Sequence, residues 1–255
     1  NNFKNKLEAT NYELLKCKDC KFVWQKNIPN KNFSIDLYEN IIDSEQSLKK
    51  SKLKYHNQKH NNNKEIEKIT STFKEEKINI LDFGAGWGHW LMSGPSSLYD
   101  SYALELSFQR KEFLKSNGIN VLNFETINSY ENFFHYIRLD QVLEHLDEPN
   151  EVLKIIKKLG KKDCIFFISV PDGTKIIEKE NLIVIEKGPV QPLEHLNCFS
   201  KHSLKKLLNT HGFRPLNLKE IIMINIKSFR IDMTSLKSFL KDIKSYFFST
   251  SIKFK

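Results

Sequence analysis

The chain has 255 residues, is 40% hydrophobic and 28% charged, and carries a formal net charge of +9. That is chain enough for one large domain with appendages, and too apolar for a disordered polymer. The longest unbroken apolar run, Cys164 to Ile168, is far short of a bilayer span, and four cysteines exclude a disulfide-built scaffold.

The positive charge first suggests an acidic partner, but only Arg110, Arg138, Arg214 and Arg230 of the 40 basic residues are arginine. Arginine is the side chain suited to bidentate phosphate and base contacts, so a lysine-dominated chain argues against nucleic acid. The charge is also unevenly placed: residues 1–78 are net +5, residues 79–200 net −5 and residues 201–255 net +9. An acidic core between basic flanks is expected. No charged start followed by an apolar stretch marks a signal peptide, so a cytoplasmic location is expected.

In chain order, Cys17 and Cys20 stand on a knuckle between two short strands, with the spacing of a zinc knuckle. Residues 34–77 are polar, with apolar residues at helical spacing, and predict two helices linked at Asn61-Asn62-Asn63. Ile78 to Phe83 is a strand ending in Gly84-Ala85-Gly86-Trp87-Gly88, followed by a short helix that stops near Gly94-Pro95. Tyr99 to Leu106 is a strand with Glu105 near its end. Phe108 to Ser116 is a helix closed by Asn117-Gly118. Ile119 to Leu122 and Phe133 to Leu139 are strands, Glu148 to Leu159 a helix, and Cys164 to Val170 a strand buried on both faces. Ile176 to Ile185 reads as a hairpin inserted over the active face. Ser200 caps a helix that ends at Gly212, and Phe213 to Ile224 reads as a late strand. Strands alternating with helices predict a parallel sheet covered on both sides.

The glycine loop carries the chemistry. Glycines allow a sharp turn and close approach of a ligand to the backbone. The dinucleotide fingerprint would need glycine at His89, and no Lys-Ser/Thr follows to make a phosphate-binding P-loop. Asp82-x-Gly84-x-Gly86-x-Gly88 instead resembles the class I S-adenosylmethionine-dependent methyltransferases. Asp140-Gln141-Val142-Leu143-Glu144-His145-Leu146, then Pro149, is similar to the segment after their fourth strand. Phe166 to Pro171 resembles their fifth strand, and Glu194-His195-Leu196-Asn197 with Phe199-Ser200 and Gly212-Phe213 the block that follows.

The resemblance implies an α/β fold: a Rossmann-like, doubly wound, mostly parallel seven-stranded sheet with helices on both faces and an N-terminal extension. It implies S-adenosylmethionine as cofactor. Asp82, Ala85 and the backbone of Gly84, Gly86 and Gly88 would hold its methionine end, Glu105 the ribose, and Leu106 would flank the adenine. Asn123 or Glu125 would meet the adenine amino group, and Gln141 would lie beside the sulfonium.

Gln141, Glu144 and His145 have helical spacing that places them on one face, and His195 arrives on a loop. Ubiquinone-pathway O-methyltransferases and small-RNA 2′-O-methyltransferases resemble this layout. In the RNA group Glu-x-x-Glu-His with a distant His binds a divalent metal, whereas this chain has Gln141 at the first Glu. Three roles stay open for Glu144, His145 and His195: general base, metal ligand, or positioning. The Cys17–Cys20 segment resembles the second half of a zinc ribbon on some bacterial methyltransferases, whose first pair would lie upstream of Asn1.

The expected organisation is therefore a zinc-ribbon-like remnant at 1–33, a helical extension at 34–74, a methyltransferase domain at 75–225 with an insertion at 172–195, and a basic segment at 226–255. The expected activity is methyl transfer, by O-methylation, to a small-molecule or carbohydrate acceptor. An RNA methyltransferase or a cofactor-binding pseudoenzyme is the alternative.

Overall fold

The computed structural model describes residues 12–37, 44–178, 188–227 and 252–254. In chain order these form strands β1 (Leu14–Lys16) and β2 (Val23–Gln25), helices α1 (Lys31–Asp36) and α2 (Ser44–Thr70), β3 (Ile78–Phe83), β4 (Tyr99–Leu104), α3 (Phe108–Ser116) and β5 (Asn120–Leu122). There follow β6 (Phe134–Asp140), α4 (Pro149–Leu159), β7 (Gly160–Ser169), α5 (Thr174–Glu178), β8 (Asn197–Cys198), α6 (Lys201–Thr210), α7 (Leu218–Lys227) and β9 (Ile252–Phe254).

The main sheet has the order β5-β4-β3-β6-β7-β9. The first five strands are parallel and β9 pairs antiparallel with β7. Among the described residues, five parallel strands with one antiparallel edge strand stand where seven were expected. Part of the difference lies at Phe213 to Ile224, where α7 stands in place of the late strand. Asn217 explains it. Its Oδ1 accepts from the Glu220 N–H at 2.9 Å and the Glu220 carboxylate accepts from the Asn217 N–H at 2.9 Å. That reciprocal cap starts a helix and outweighs the β-branched composition.

Strand alternation sends side chains to two cores. Leu81, Phe83, Ile137, Leu139, Phe166 and Ile168 pack with α4 and α6 on one face. Ile78, Ile80, Tyr136 and Ile165 pack with α2, α3 and α7 on the other. A small antiparallel sheet, β1-β2-β8, stands apart from the main one.

Residues 44–70 form one helix, not two joined at Asn61-Asn62-Asn63. Asparagine costs a helix only a few tenths of a kcal/mol (~0.5) relative to good formers. Asn63 Nδ2 donates to Glu67 Oε1 at 3.1 Å one turn on, and Ile66 and Ile69 are buried in the core. Tertiary packing thus carries the helix through its weak centre. The expected helix after Gly88 is instead a run of turns. The Met92 N–H reaches Gly88 O at 3.0 Å, but the Ser93 N–H turns to Trp90 O at 3.0 Å and Gly94-Pro95 ends the run. Of the inserted hairpin at Ile176 to Ile185, residues 174–178 are helical and 179–187 lie outside the described residues.

Ile66 is fully buried against Gly94 and the strands of the second core. Ile66→Ala should therefore destabilise the whole domain by ~2–4 kcal/mol in chemical denaturation. A helix merely resting on the surface would lose less than ~1 kcal/mol.

Candidate active site

The chain runs outward from β3 through β4 to β5, then returns to β6 on the other side of β3. This reversal makes a topological switch point between β3 and β6, where open α/β sheets bind ligands beyond the carboxyl ends of the strands. A polar crevice of about 200 Å³ lies there, lined by Asp82, Gly84, Ala85 and Trp87 from the glycine loop, Arg138 and Asp140 from β6, and Lys54, Tyr55 and Gln58 from α2. A larger cavity of about 850 Å³ is lined by His135, Lys161 and Leu216 at the amino ends of β6 and β7, the opposite end of the sheet. The switch-point crevice is the one that coincides with the glycine loop.

The loop is built for close approach. Gly84, Gly86 and Gly88 have φ of 75°, 57° and 66°, the left-handed region that side chains disfavour. A Cβ on Gly84 would lie 2.7 Å from Val142 Cγ2, whereas Gly86 opens onto space with nothing within 4 Å. The Gly86 N–H donates to Glu105 Oε2 at 2.8 Å, and the Leu106 and Ser107 N–H groups to Glu105 Oε1 at 2.8 and 3.0 Å. Glu105 is thereby fixed at the mouth of β4, with Arg110 at 3.8 Å. Leu106 is 68% exposed and Phe124, after β5, 38% exposed. Asn123 and Glu125 flank Phe124 and are exposed.

Sequence reasoning missed Arg138. Its Nη2 donates to Asp140 Oδ2 at 2.6 Å and its Nη1 to Asp82 Oδ1 at 3.5 Å, and the guanidinium stacks 4.8 Å from the Trp90 ring centroid. Burial opposes its charge, yet Asp82 and Asp140 more than offset that and raise its pKa. Burial pushes Asp82 up to about 6 in spite of the guanidinium. The available signal was a lone arginine among Tyr136, Ile137 and Leu139 in the run from Phe133 to Leu139, which is apolar apart from it and His135.

Helix α2 closes this crevice. Trp87 Nε1 donates to Ser47 Oγ at 3.1 Å, Ser51 Oγ and His89 Nδ1 are 2.6 Å apart, and Tyr55 stacks on the His89 ring at 5.0 Å. A segment that read as a helical extension lines the crevice.

Beyond β6 a 3-10 turn, Leu143–His145, carries the second cluster. Ligand atoms of Glu144, His145 and His195 lie within 4.8 Å of one another, and the two imidazole rings are 4.9 Å apart. His145 Nδ1 is 2.7 Å from Glu194 O and His195 Nδ1 is 2.8 Å from Gly188 O. A carbonyl only accepts, so each Nδ1 carries the proton and each lone pair sits on Nε2. Burial, with His195 second, pushes His145 down to about 4, and burial also lowers His195. Burial pushes Glu144 up to about 8, and neither of its oxygens has a hydrogen-bond partner.

Gln141 does not share that face. It takes φ 58° before the turn, is exposed, and donates from Nε2 to Ser169 Oγ at 3.1 Å. The helical spacing fails because Gln141 and the 3-10 turn are not one α-helix. Cys17 and Cys20 lie on the β1–β2 turn, half-buried, as free thiols with Lys21 at φ 59°. The hydrogen bonds of the turn lower the Cys17 thiol. Among the described residues, the group of three possible metal ligands within reach of one another is Glu144, His145 and His195, whereas Cys17 and Cys20 make a pair.

A doubly wound sheet with a glycine loop and an acidic group at the ends of adjacent strands defines a Rossmann-like, nucleotide-cofactor class of enzyme. The chain belongs to the methyltransferase-domain family, whose model matches residues 55–218. No curated protein sequence matches it. Among solved structures it is similar to the plantazolicin methyltransferase BpumL in complex with SAH, at 13% identity over 87% of this chain and 91% of that one, with a TM-score of 0.53. It is also similar to the plantazolicin methyltransferase BamL in complex with SAH and a triazolic desmethylPZN analog, at 14% identity over 81% and 88%, with a TM-score of 0.51. A SAM-dependent methyltransferase from Archaeoglobus fulgidus aligns at 16% identity over 89% and 100%, with a TM-score of 0.48. The likeness to the two plantazolicin methyltransferases speaks for the fold. No helix among the described residues is long and apolar enough to cross a membrane.

The raised Glu144 carboxyl has a measurable consequence. Its folded pKa of about 8 exceeds the ordinary 4.5, so the native state holds a proton that the unfolded state releases. The contribution of Glu144 to stability therefore falls as pH rises from 4.5 to 8. Glu144→Gln should flatten that decline and be more stable than the parent at pH 8. Urea titrations in the presence of a chelator, compared across that window, would show it.

Proposed function

We propose that the chain transfers a methyl group from S-adenosylmethionine to a hydroxyl of a small-molecule or carbohydrate acceptor. The observation that carries this is the charged crevice at the β3–β6 switch point, continuous with the glycine loop. The residues present fit the cofactor. Asp82 and Asp140 suit an ammonium, and Arg138 and Lys54 a carboxylate, so the crevice takes an α-amino-acid tail. The Glu105 carboxylate, oriented by three N–H groups, keeps a lone pair for a ribose hydroxyl. The exposed apolar surfaces of Leu106 and Phe124 suit the two faces of an adenine.

The cofactor supplies an activated methyl group, so the chain's task is to align the acceptor, exclude water and receive the hydroxyl proton. His145 and His195 are kept neutral by burial, and each holds Nδ1–H on a carbonyl with its lone pair on Nε2. That is the state a proton acceptor needs. One of these two Nε2 atoms would receive the proton of the acceptor hydroxyl as its oxygen takes the methyl group and the sulfonium's sulfur–carbon bond breaks to leave the neutral thioether.

A second reading is favoured by the orphaned carboxylate. Two imidazoles and a buried carboxyl converging within 4.8 Å suit a divalent cation, and each imidazole is already oriented by a carbonyl on its other nitrogen. Glu144, His145 and His195 would hold it, and it would lower the pKa of the acceptor hydroxyl.

Two titrations test these readings. S-adenosylhomocysteine should bind at least ~10-fold more tightly than methylthioadenosine, which lacks the amino-acid tail. Lys54→Ala should narrow that gap several-fold by weakening only the former. A folded protein that binds neither would end the methyl-transfer reading. Calorimetry with Zn²⁺ should show binding on the order of micromolar that His195→Ala abolishes, if the cation reading holds. No heat of binding would leave the histidines as proton acceptors.

A further inference from the structure

The β1–β2 hairpin reaches the segment that carries His195. Its second strand, β2, pairs antiparallel with β8, Val23 opposite Cys198 and Trp24 opposite Asn197. The ladder continues past the strand: the Gln25 N–H donates to Leu196 O at 2.9 Å. The Gln25 side chain goes further, donating from Nε2 to His195 O at 2.9 Å and to Gln191 O at 3.3 Å. Tyr12 on the same segment donates its hydroxyl to Val190 O. Gln25 is 3% exposed, so its amide has been taken out of water to make these bonds.

The loop it grips is a constrained one. The His195 N–H donates to Gln191 O at 2.9 Å and closes a turn in which Leu193 sits at φ 69°. A left-handed leucine costs ~1–2 kcal/mol and persists only where its surroundings over-determine it. Those surroundings are visible. The carbonyl of Glu194 accepts from His145 Nδ1, while Gln25 takes those of Gln191 and His195. The turn is thus held between a histidine of the cluster on one side and the hairpin on the other.

We propose that Gln25 is a positioning residue for His195. From the hairpin it fixes the strained Gln191–His195 turn, so that the imidazole keeps its Nδ1–H on Gly188 O and its ring against His145. The hairpin is then part of the acceptor half of the site, although it lies more than 160 residues from His195 in sequence. This inference rests on the methyl-transfer reading only for the purpose of the cluster, not for its geometry.

The test is the ring ¹⁵N spectrum of His195 in three proteins: the parent, Gln25→Leu, which keeps bulk without donors, and Gln25→Glu, which keeps shape but turns the donating nitrogen into an acceptor. The parent should show the Nδ1–H tautomer. Both variants should lose that signature, and exchange of the His195 amide should quicken on the order of tenfold. S-adenosylhomocysteine affinity should stay unchanged, since among the described residues no hydrogen bond joins Gln25's turn to the cofactor crevice. An Nε2–H tautomer in the parent, or folded variants that keep the parent's ring signature and exchange rate, would overturn the proposal. Failure of the parent to bind S-adenosylhomocysteine would instead count against methyl transfer and leave the positioning result standing.

Discussion

A guanidinium is hard to bury, and harder still between two strands that are neighbours in space but 56 residues apart in sequence. Arg138 is held there by Asp82 on β3 and Asp140 on β6, with Trp90 beneath its plane. Each carboxylate is the condition for burying the cation, and the cation the condition for burying them. Taking one partner from such a group leaves an uncompensated charge, typically at a cost of ~3–5 kcal/mol. The arrangement sits at the reversal of strand order, so it also fixes the crevice that the glycine loop opens onto. Trp90 and the neighbouring Trp87 and His89 then carry contacts to α2, which closes the crevice from outside.

The site divides into two halves with different physics. The crevice is charged and pairs opposite signs: Asp82 and Asp140 against Arg138 and Lys54. The histidine cluster is kept uncharged. Burial raises Glu144 and lowers both imidazoles, so each group is pushed toward its neutral form. A charged half suits a zwitterionic tail, and a neutral half rich in lone pairs suits a hydroxyl proton or a cation. The halves are also built from different parts of the chain. Helix α2 completes the first, and the β1–β2 hairpin supports the second. The net −5 of residues 79–200 therefore understates the basic contribution to the crevice, because Lys54 arrives from the basic flank.

What the residues disclosed in advance was what local chemistry dictates. The alternation of Ile78 to Phe83, the glycines at left-handed φ, and Ser200 with its capping box all have short-range causes. The same holds for the strands β3 to β7 and the helices α3, α4 and α6. Tertiary effects were hidden. Nothing local says that Ile66 will bury and carry α2 straight through three asparagines, or that α2 will turn from an appendage into a wall. Asn217 and Glu220 did spell a helix start, but the β-branched run after them masked it. In the site, Glu144, His145 and His195 were legible as residue types, while Gln141 was misplaced because its positive φ breaks the helical spacing. Arg138 and Gln25 were invisible as site residues, since each acts through a partner far away in sequence.

The central claim is that one crevice, set by Arg138 and covered by α2, binds the tail of an adenosyl cofactor and presents its sulfur to the histidine cluster. The direct measurement is a crystal structure of the protein with S-adenosylhomocysteine bound. It should show the carboxylate of the ligand at Arg138 and Lys54, its ribose on Glu105, and its sulfur facing His145 and His195. A ligand seated in the cavity at the amino ends of β6 and β7, or one in the crevice with its sulfur turned away from both histidines, would contradict it.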